Sequence, residues 1–164
     1  MTLYFLRHGS AVEPGTPGIK NDAERPLTPR GIKEIREVVS WMKIKRVRPQ
    51  AIFSSPHLRA IETALLVAQG LPFSDRIKFS KALIPTASFN EFFQLLLKNK
   101  KNQRILFVGH QPALGAFVSE LTHHQSVRPI DFKKGDLCLV DVSNLSQKSY
   151  HGKLKNFFSP NKHA

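Results

Sequence analysis

Short apolar runs alternate along the chain with stretches where apolar residues return every three or four positions. Thr2 to Leu6 is an uninterrupted apolar run with two aromatics, which predicts a buried strand. A loop rich in Gly, Pro, Asn and Asp follows from Gly9 to Leu27. Thr28-Pro29 then has the form of a helix start, Thr28 as N-cap and Pro29 in the first helical position. Ile32, Ile35, Val38, Val39 and Met42 fall on one face of that helix. Ala51 to Ser54 predicts a second strand, and Ser55-Pro56 opens a second helix. Its apolar face is expected to hold Leu58, Ile61, Leu65, Leu66 and Ala68, with Gly70 as its stop.

Ile77 to Leu83 holds a weakly patterned third strand. Phe89, Phe92, Phe93, Leu96 and Leu97 share a face, so Phe89 to Leu97 predicts a helix. Arg104 to Val108 is the clearest buried strand, and Ala113 to Leu121 is the helix after it. Leu137 to Val142 and Lys153 to Phe158 close the pattern as strands, the last at a sheet edge. Strands alternating with helices predict an α/β three-layer sandwich, with a mostly parallel central sheet flanked by helices. The expected organisation is one domain over residues 1–158, with a frayed tail at 159–164.

Composition narrows the setting. Of 164 residues, 41% are hydrophobic and 23% charged, as in an ordinary globular protein. The single cysteine, Cys138, allows no intrachain disulfide and is expected to be buried and inert in its strand. No apolar run reaches the roughly 18 residues of a membrane span, and the N-terminal run is cut by Arg7-His8 where a leader would continue. A cytoplasmic protein without membrane association is expected. The formal charge of +13 adds a field that attracts anions: nucleic acid, acidic proteins or phosphate esters. The basic residues are scattered, in pairs at most such as Lys100-Lys101 and Lys133-Lys134, and show no nucleic-acid-binding signature. No specific nucleic-acid partner is expected.

Candidate chemistry collects at the strand ends, where ligands of such sheets bind. The first strand ends in Arg7-His8-Gly9, the second in Ser54-Ser55-Pro56-His57-Leu58-Arg59, and the strong later strand in Gly109-His110. Two guanidinium groups can grip a phosphoryl oxyanion. A neutral imidazole can attack phosphorus and carry the group covalently. A second histidine can donate to the equatorial oxygens, where transition-state charge lies. Such a set requires neither a metal nor a cofactor. Gly9 and Gly109, beside the histidines, leave room for backbone to approach a ligand.

These residues resemble the histidine phosphatase superfamily, the phosphoglycerate mutase-like proteins. Arg7-His8-Gly9 matches its Arg-His-Gly signature. Ser55-Pro56-His57-Leu58-Arg59-Ala60-Ile61-Glu62-Thr63-Ala64 matches Ser-Pro-x-x-Arg-Ala-x-x-Thr-Ala, and Val108-Gly109-His110 matches the second histidine. Arg25-Pro26-Leu27-Thr28-Pro29-Arg30-Gly31 and the small size resemble the SixA branch, the protein phosphohistidine phosphatases. The resemblance implies that His8 is the nucleophile, that Arg7 and Arg59 bind the phosphoryl oxygens, and that His110 stabilises the transferring group. Arg25 is implied as a further phosphate or substrate contact.

One departure bears on the substrate. Many relatives carry a glutamate acid after the third strand; this chain reads Lys81-Ala82-Leu83-Ile84-Pro85-Thr86-Ala87-Ser88, and Glu91 is expected on a helix surface. General acid catalysis is worth about 10²–10⁴-fold, and an alkoxide leaving group needs it. Phosphohistidine does not, because imidazole leaves readily. The expected partner is a phosphorylated signalling protein such as a histidine-phosphotransfer domain. The alternatives are a small phosphorylated substrate with an activated leaving group, or a polyanion-binding protein without turnover. His123-His124 is read as a solvated helix end and Trp41 as a residue at the edge of the core.

Overall fold

The structure is a computed structural model, described here for residues 1–123 and 130–160. Six strands form one sheet: β1 (Thr2–Arg7), β2 (Ala51–Ser54), β3 (Lys78–Phe79), β4 (Arg104–Gly109), β5 (Leu137–Ser143) and β6 (His151–Phe158). The helices are α1 (Pro29–Ile44), α2 (Leu58–Gly70), α3 (Phe89–Lys98) and α4 (Ala113–Leu121). The order across the sheet is β3-β2-β4-β1-β5-β6. β1, β2, β3 and β4 are mutually parallel; β5 runs against β1, and β6 against β5.

The three layers follow from alternation along the central strands. Leu3 and Phe5 of β1, with Ile105 and Phe107 of β4, point to one side and meet Phe92, Leu96 and Phe117 of α3 and α4. Tyr4, Leu6, Leu106 and Val108 point to the other and meet Ile35, Val38 and Met42 of α1 and Ala60, Ala64 and Val67 of α2. Both faces of the sheet are covered, which explains why these strands read as continuous apolar runs.

Local signals set most boundaries. Thr28 caps α1, its Oγ1 accepting from the Gly31 N–H at 3.1 Å. Ser88 and Glu91 form a capping box at α3, so Glu91 is committed to an exposed helix start. Two expectations need correction. The buried face of α2 holds Arg59, Ala60, Thr63, Ala64 and Val67, whereas Leu65 is 44% exposed. Small alanines let this helix lie close to the sheet, and its larger apolar residues flank the contact. Gly70 ends α2 as expected; a β-carbon there would run into Val39 of α1, so tight packing also requires the glycine. The expected third strand shrinks to Lys78–Phe79, and Lys81–Leu83 is a 3-10 turn that buries Leu83.

The tail is held at its start: Ser159 and Pro160 are buried, and the Ser159 hydroxyl donates to Asp136. Residues 161–164 lie outside the described residues, as does His124. His123 is exposed just past α4 and stacks on Tyr150 with ring centroids 5.1 Å apart. Trp41, half-buried, stacks on Phe158 of β6. Cys138 is fully buried, and burial pushes its thiol up to about 12. No helix among the described residues is long and apolar enough to cross a membrane.

Candidate active site

The parallel register brings the chemistry together. β1 and β4 are neighbours with Arg7 opposite Gly109, and the His8 N–H donates to Gly109 O at 3.1 Å. β2 lies on the other side of β4, and the Ser55 N–H donates to Val108 O at 2.9 Å. Arg7-His8, Ser55 to Arg59 and His110 therefore leave adjacent strand ends. They open on a cleft of about 370 Å³ that Arg7, His8, Arg59, His110 and Arg25 all line.

His8 is 5% exposed, and its Nδ1 lies 2.7 Å from Gly9 O. A carbonyl only accepts, so Nδ1 carries the proton and Nε2 keeps its lone pair. Arg59, also buried, directs Nε to that Nε2 at 3.2 Å. The His8 and His110 rings stand 4.9 Å apart. His110 is 1% exposed with Nε2 2.8 Å from Ser55 Oγ, and its Nδ1 has no hydrogen-bond partner among the described residues. Arg7 donates through Nη1 to Phe132 O, and its buried Nε likewise has no such partner.

Gly9 does not line the cleft. A β-carbon on it would sit 2.6 Å from Gly31 O, and its N–H donates to Thr63 Oγ1 at 3.3 Å. Close contact with α1 is what demands glycine there. Gly109 is comparable, with Leu83 O 3.1 Å from where a β-carbon would stand.

Several residues at the site were not assigned from the sequence. Asp22 and Glu13, from the long loop, line the cleft, so the site is not free of carboxylates as the missing glutamate after the third strand suggests. Asp22 binds both loop and helix arginines. Its carboxylate accepts from Arg59 Nη2 at 2.8 Å and from Arg25 Nε at 2.9 Å, and its backbone O accepts from Arg59 Nη1 at 2.6 Å. Arg25 also donates to Val12 O at 2.8 Å, folding the loop over the cleft. His57 packs edge-on to His110, with Nδ1 3.8 Å from Asp22 Oδ2. The one available signal was spacing: Asp22 stands three residues before Arg25, within reach in one turn.

Residues 3–84 match the sequence profile of the histidine phosphatase superfamily (branch 1), a span that includes Arg7-His8-Gly9 and Ser55 to Arg59. The chain belongs to the histidine phosphatase superfamily. It is a phosphatase, a hydrolase. Among curated relatives of this histidine phosphatase is the phosphohistidine phosphatase SixA of Escherichia coli K12, 29% identical over 123 residues, 74% of each chain. A structure of the protein histidine phosphatase SixA with tungstate superposes with a TM-score of 0.86 at 25% identity, covering 100% of both chains. The fold also matches a mycobacterial glucosyl-3-phosphoglycerate phosphatase with a TM-score of 0.70 at 12% identity, over 94% of this chain and 96% of that one.

The electrostatics of the cleft disfavour protonation of the imidazoles there. Burial, then the charges of Arg59, Arg7 and Arg25, push His8 down to about 3, against a partial upward pull from its Gly9 bond. His110 is lowered further, first by burial and then by His8, Arg59 and the neighbouring cations. His57 is lowered by burial and Arg59. For Asp22, burial raises the pKa, but hydrogen bonds and charge from Arg59 and Arg25 outweigh it and hold the carboxyl below its usual range.

Proposed function

We propose that this phosphatase hydrolyses phosphohistidine on signalling proteins, through a covalent phosphohistidine at His8. The observation that carries the reading is the state of the His8 ring: proton held on Nδ1 by Gly9 O, lone pair on buried Nε2, Arg59 and His110 beside it. His8 Nε2 forms a bond to phosphorus as the bond to the leaving imidazole breaks, and that imidazole departs neutral when its other nitrogen is protonated. The phosphoryl oxygens take N–H groups of Arg7, Arg59 and His110, with Arg25 as a further contact from the loop. Gly9 O accepts from Nδ1–H throughout, which favours the positive charge of the phosphorylated ring. Water then attacks phosphorus, inorganic phosphate leaves, and Nε2 recovers its lone pair.

The SixA relatives support this substrate, and so does the state of Asp22: clamped by two arginines, it is a poor proton donor. A histidine-phosphotransfer domain is the proposed partner, and the cytoplasm the proposed location. The second reading is a small-molecule phosphatase, favoured by Glu13, an exposed carboxylate in the cleft lining and a group of the kind that protonates an alkoxide. The test compares a phosphorylated histidine-phosphotransfer domain with aryl and sugar phosphates under identical conditions. The phosphoprotein should show the highest kcat/KM and lose its turnover in His8→Ala. Preferred turnover of sugar phosphates would select the second reading.

A further inference from the structure

The Ser-Pro-x-x-Arg segment supplies Arg59, but its serine has had no assigned task. Ser55 is fully buried at the end of β2. Its hydroxyl makes two contacts among the described residues. The His57 backbone N–H donates to Oγ at 3.3 Å, and Oγ lies 2.8 Å from His110 Nε2. A hydroxyl has one proton to give and two lone pairs to receive with.

The two neutral forms of His110 differ in whether that proton is satisfied. If His110 carries its proton on Nε2, that N–H donates to Oγ. The buried hydroxyl proton then has no acceptor among the described residues, and an unmet buried donor is costly. If His110 carries its proton on Nδ1, the hydroxyl donates to Nε2 and its oxygen accepts from His57. The serine's proton and one of its lone pairs are then used. Among the described residues each form leaves one buried donor unmet, the serine hydroxyl in the first and His110 Nδ1–H in the second, but His110 lines the cleft, where a phosphoryl oxygen can meet its donor. His110 Nδ1 is buried without a partner among the described residues, and as an N–H it is a donor awaiting an oxygen.

We propose that Ser55 sets the tautomer of His110, holding the proton on Nδ1 so that a neutral imidazole presents an N–H donor to the phosphoryl oxygens. The inference rests on the reading of His110 as the partner histidine. It makes Ser55 a positioning residue, acting through the ring and not on the substrate. With the opposite tautomer, the one ring nitrogen left for the substrate would turn a lone pair toward an anion. The device needs no positive charge on His110, and the burial and cations around that ring suit it. His8 follows the same logic in reverse: a backbone carbonyl fixes its Nδ1 proton and leaves Nε2 free to attack.

The test reads the ring nitrogens directly. In protein labelled with ¹⁵N-histidine, long-range proton–nitrogen correlations should show His110 protonated on Nδ1 and bare on Nε2 in the wild type at neutral pH. In Ser55→Ala this preference should be lost, with kcat down about tenfold at nearly constant KM, less than the ~10²–10³ that deleting a whole transition-state donor costs. A wild-type ring protonated on Nε2, or a Ser55→Ala ring still purely protonated on Nδ1, overturns the proposal. If Ser55→Ala fails to fold, Ser55→Cys, whose thiol is a weaker donor, should weaken the Nδ1 preference, and an unchanged preference overturns the proposal. A His110→Ala variant with full activity would overturn the reading of His110 itself, a failure that the nitrogen spectrum tells apart from failure of the Ser55 assignment.

Discussion

At the scale of single residues, nucleophilic attack by His8 requires a neutral ring wherever the enzyme works. Burial and three arginines push it from 6.5 to about 3, so its lone pair is present throughout the neutral and mildly acidic range. In kcat/KM for a substrate that does not itself titrate, no acid limb near pH 6.5 should come from His8. The same shift affects stability. Between pH 6.5 and about 3 the unfolded chain binds a proton at His8 that the folded chain refuses. The contribution is complete above 6.5 and is lost as pH falls toward 3. Urea unfolding across that window should therefore show a steeper loss for the wild type than for His8→Ala. Arg59→Lys should lower kcat/KM by about 10²–10³-fold, because a point charge replaces a planar fork that meets His8 and Asp22 together. The histidines and arginines were legible because they stand at strand ends in a recognisable order. Asp22, Glu13 and His57 were not, because a loop has no periodicity and an x position in a motif carries no chemistry of its own.

At the scale of elements, the site is set by how closely α1 and α2 approach the loop after β1. Gly31, in the first turn of α1, faces Ser10, and a β-carbon there would collide with the Ser10 backbone. Glu34, one turn on, accepts from the Ser10 N–H at 2.8 Å and from its hydroxyl at 2.9 Å. Together they fix the segment two residues beyond His8. Gly31→Ala should destabilise the fold by about 1–3 kcal/mol through overpacking and should lower kcat as the loop shifts. Gly15→Ala is the control for loss of a glycine in the same loop. Its positive φ also strains the new side chain, but it has open space around it and should spare kcat. Denaturant midpoints and turnover measured on both variants check this. The central strands and the cap of α1 were legible in the sequence because burial and hydrogen bonding there obey simple periods. The face of α2 was not, because a helix end that delivers Arg59 and Thr63 into the sheet buries polar and small residues and leaves leucines outside.

At the scale of the whole molecule, the formal charge of +13 surrounds a cleft where Arg7, Arg25, Arg59 and Lys134 face the carboxylates of Glu13 and Asp22. Such a field speeds the encounter with anions and is screened by salt. If the substrate is an acidic phosphoprotein, its kcat/KM should fall steeply as ionic strength rises while kcat holds. An aryl phosphate, with far less charge outside the cleft, should respond weakly. Equal salt slopes for the two would remove protein steering from the account. Composition alone disclosed the sign of this field but not its target, since scattered lysines announce an attraction without a shape.

In the proposed mechanism the phosphoryl group passes through His8. Rapid acid-free quenching during turnover of a radiolabelled phosphohistidine substrate tests it most directly. A transient phosphoenzyme is expected, labile to acid and stable to base, whose label maps by peptide mass spectrometry to His8 and is absent from His8→Ala. Label on another residue, or full turnover by His8→Ala, would contradict it.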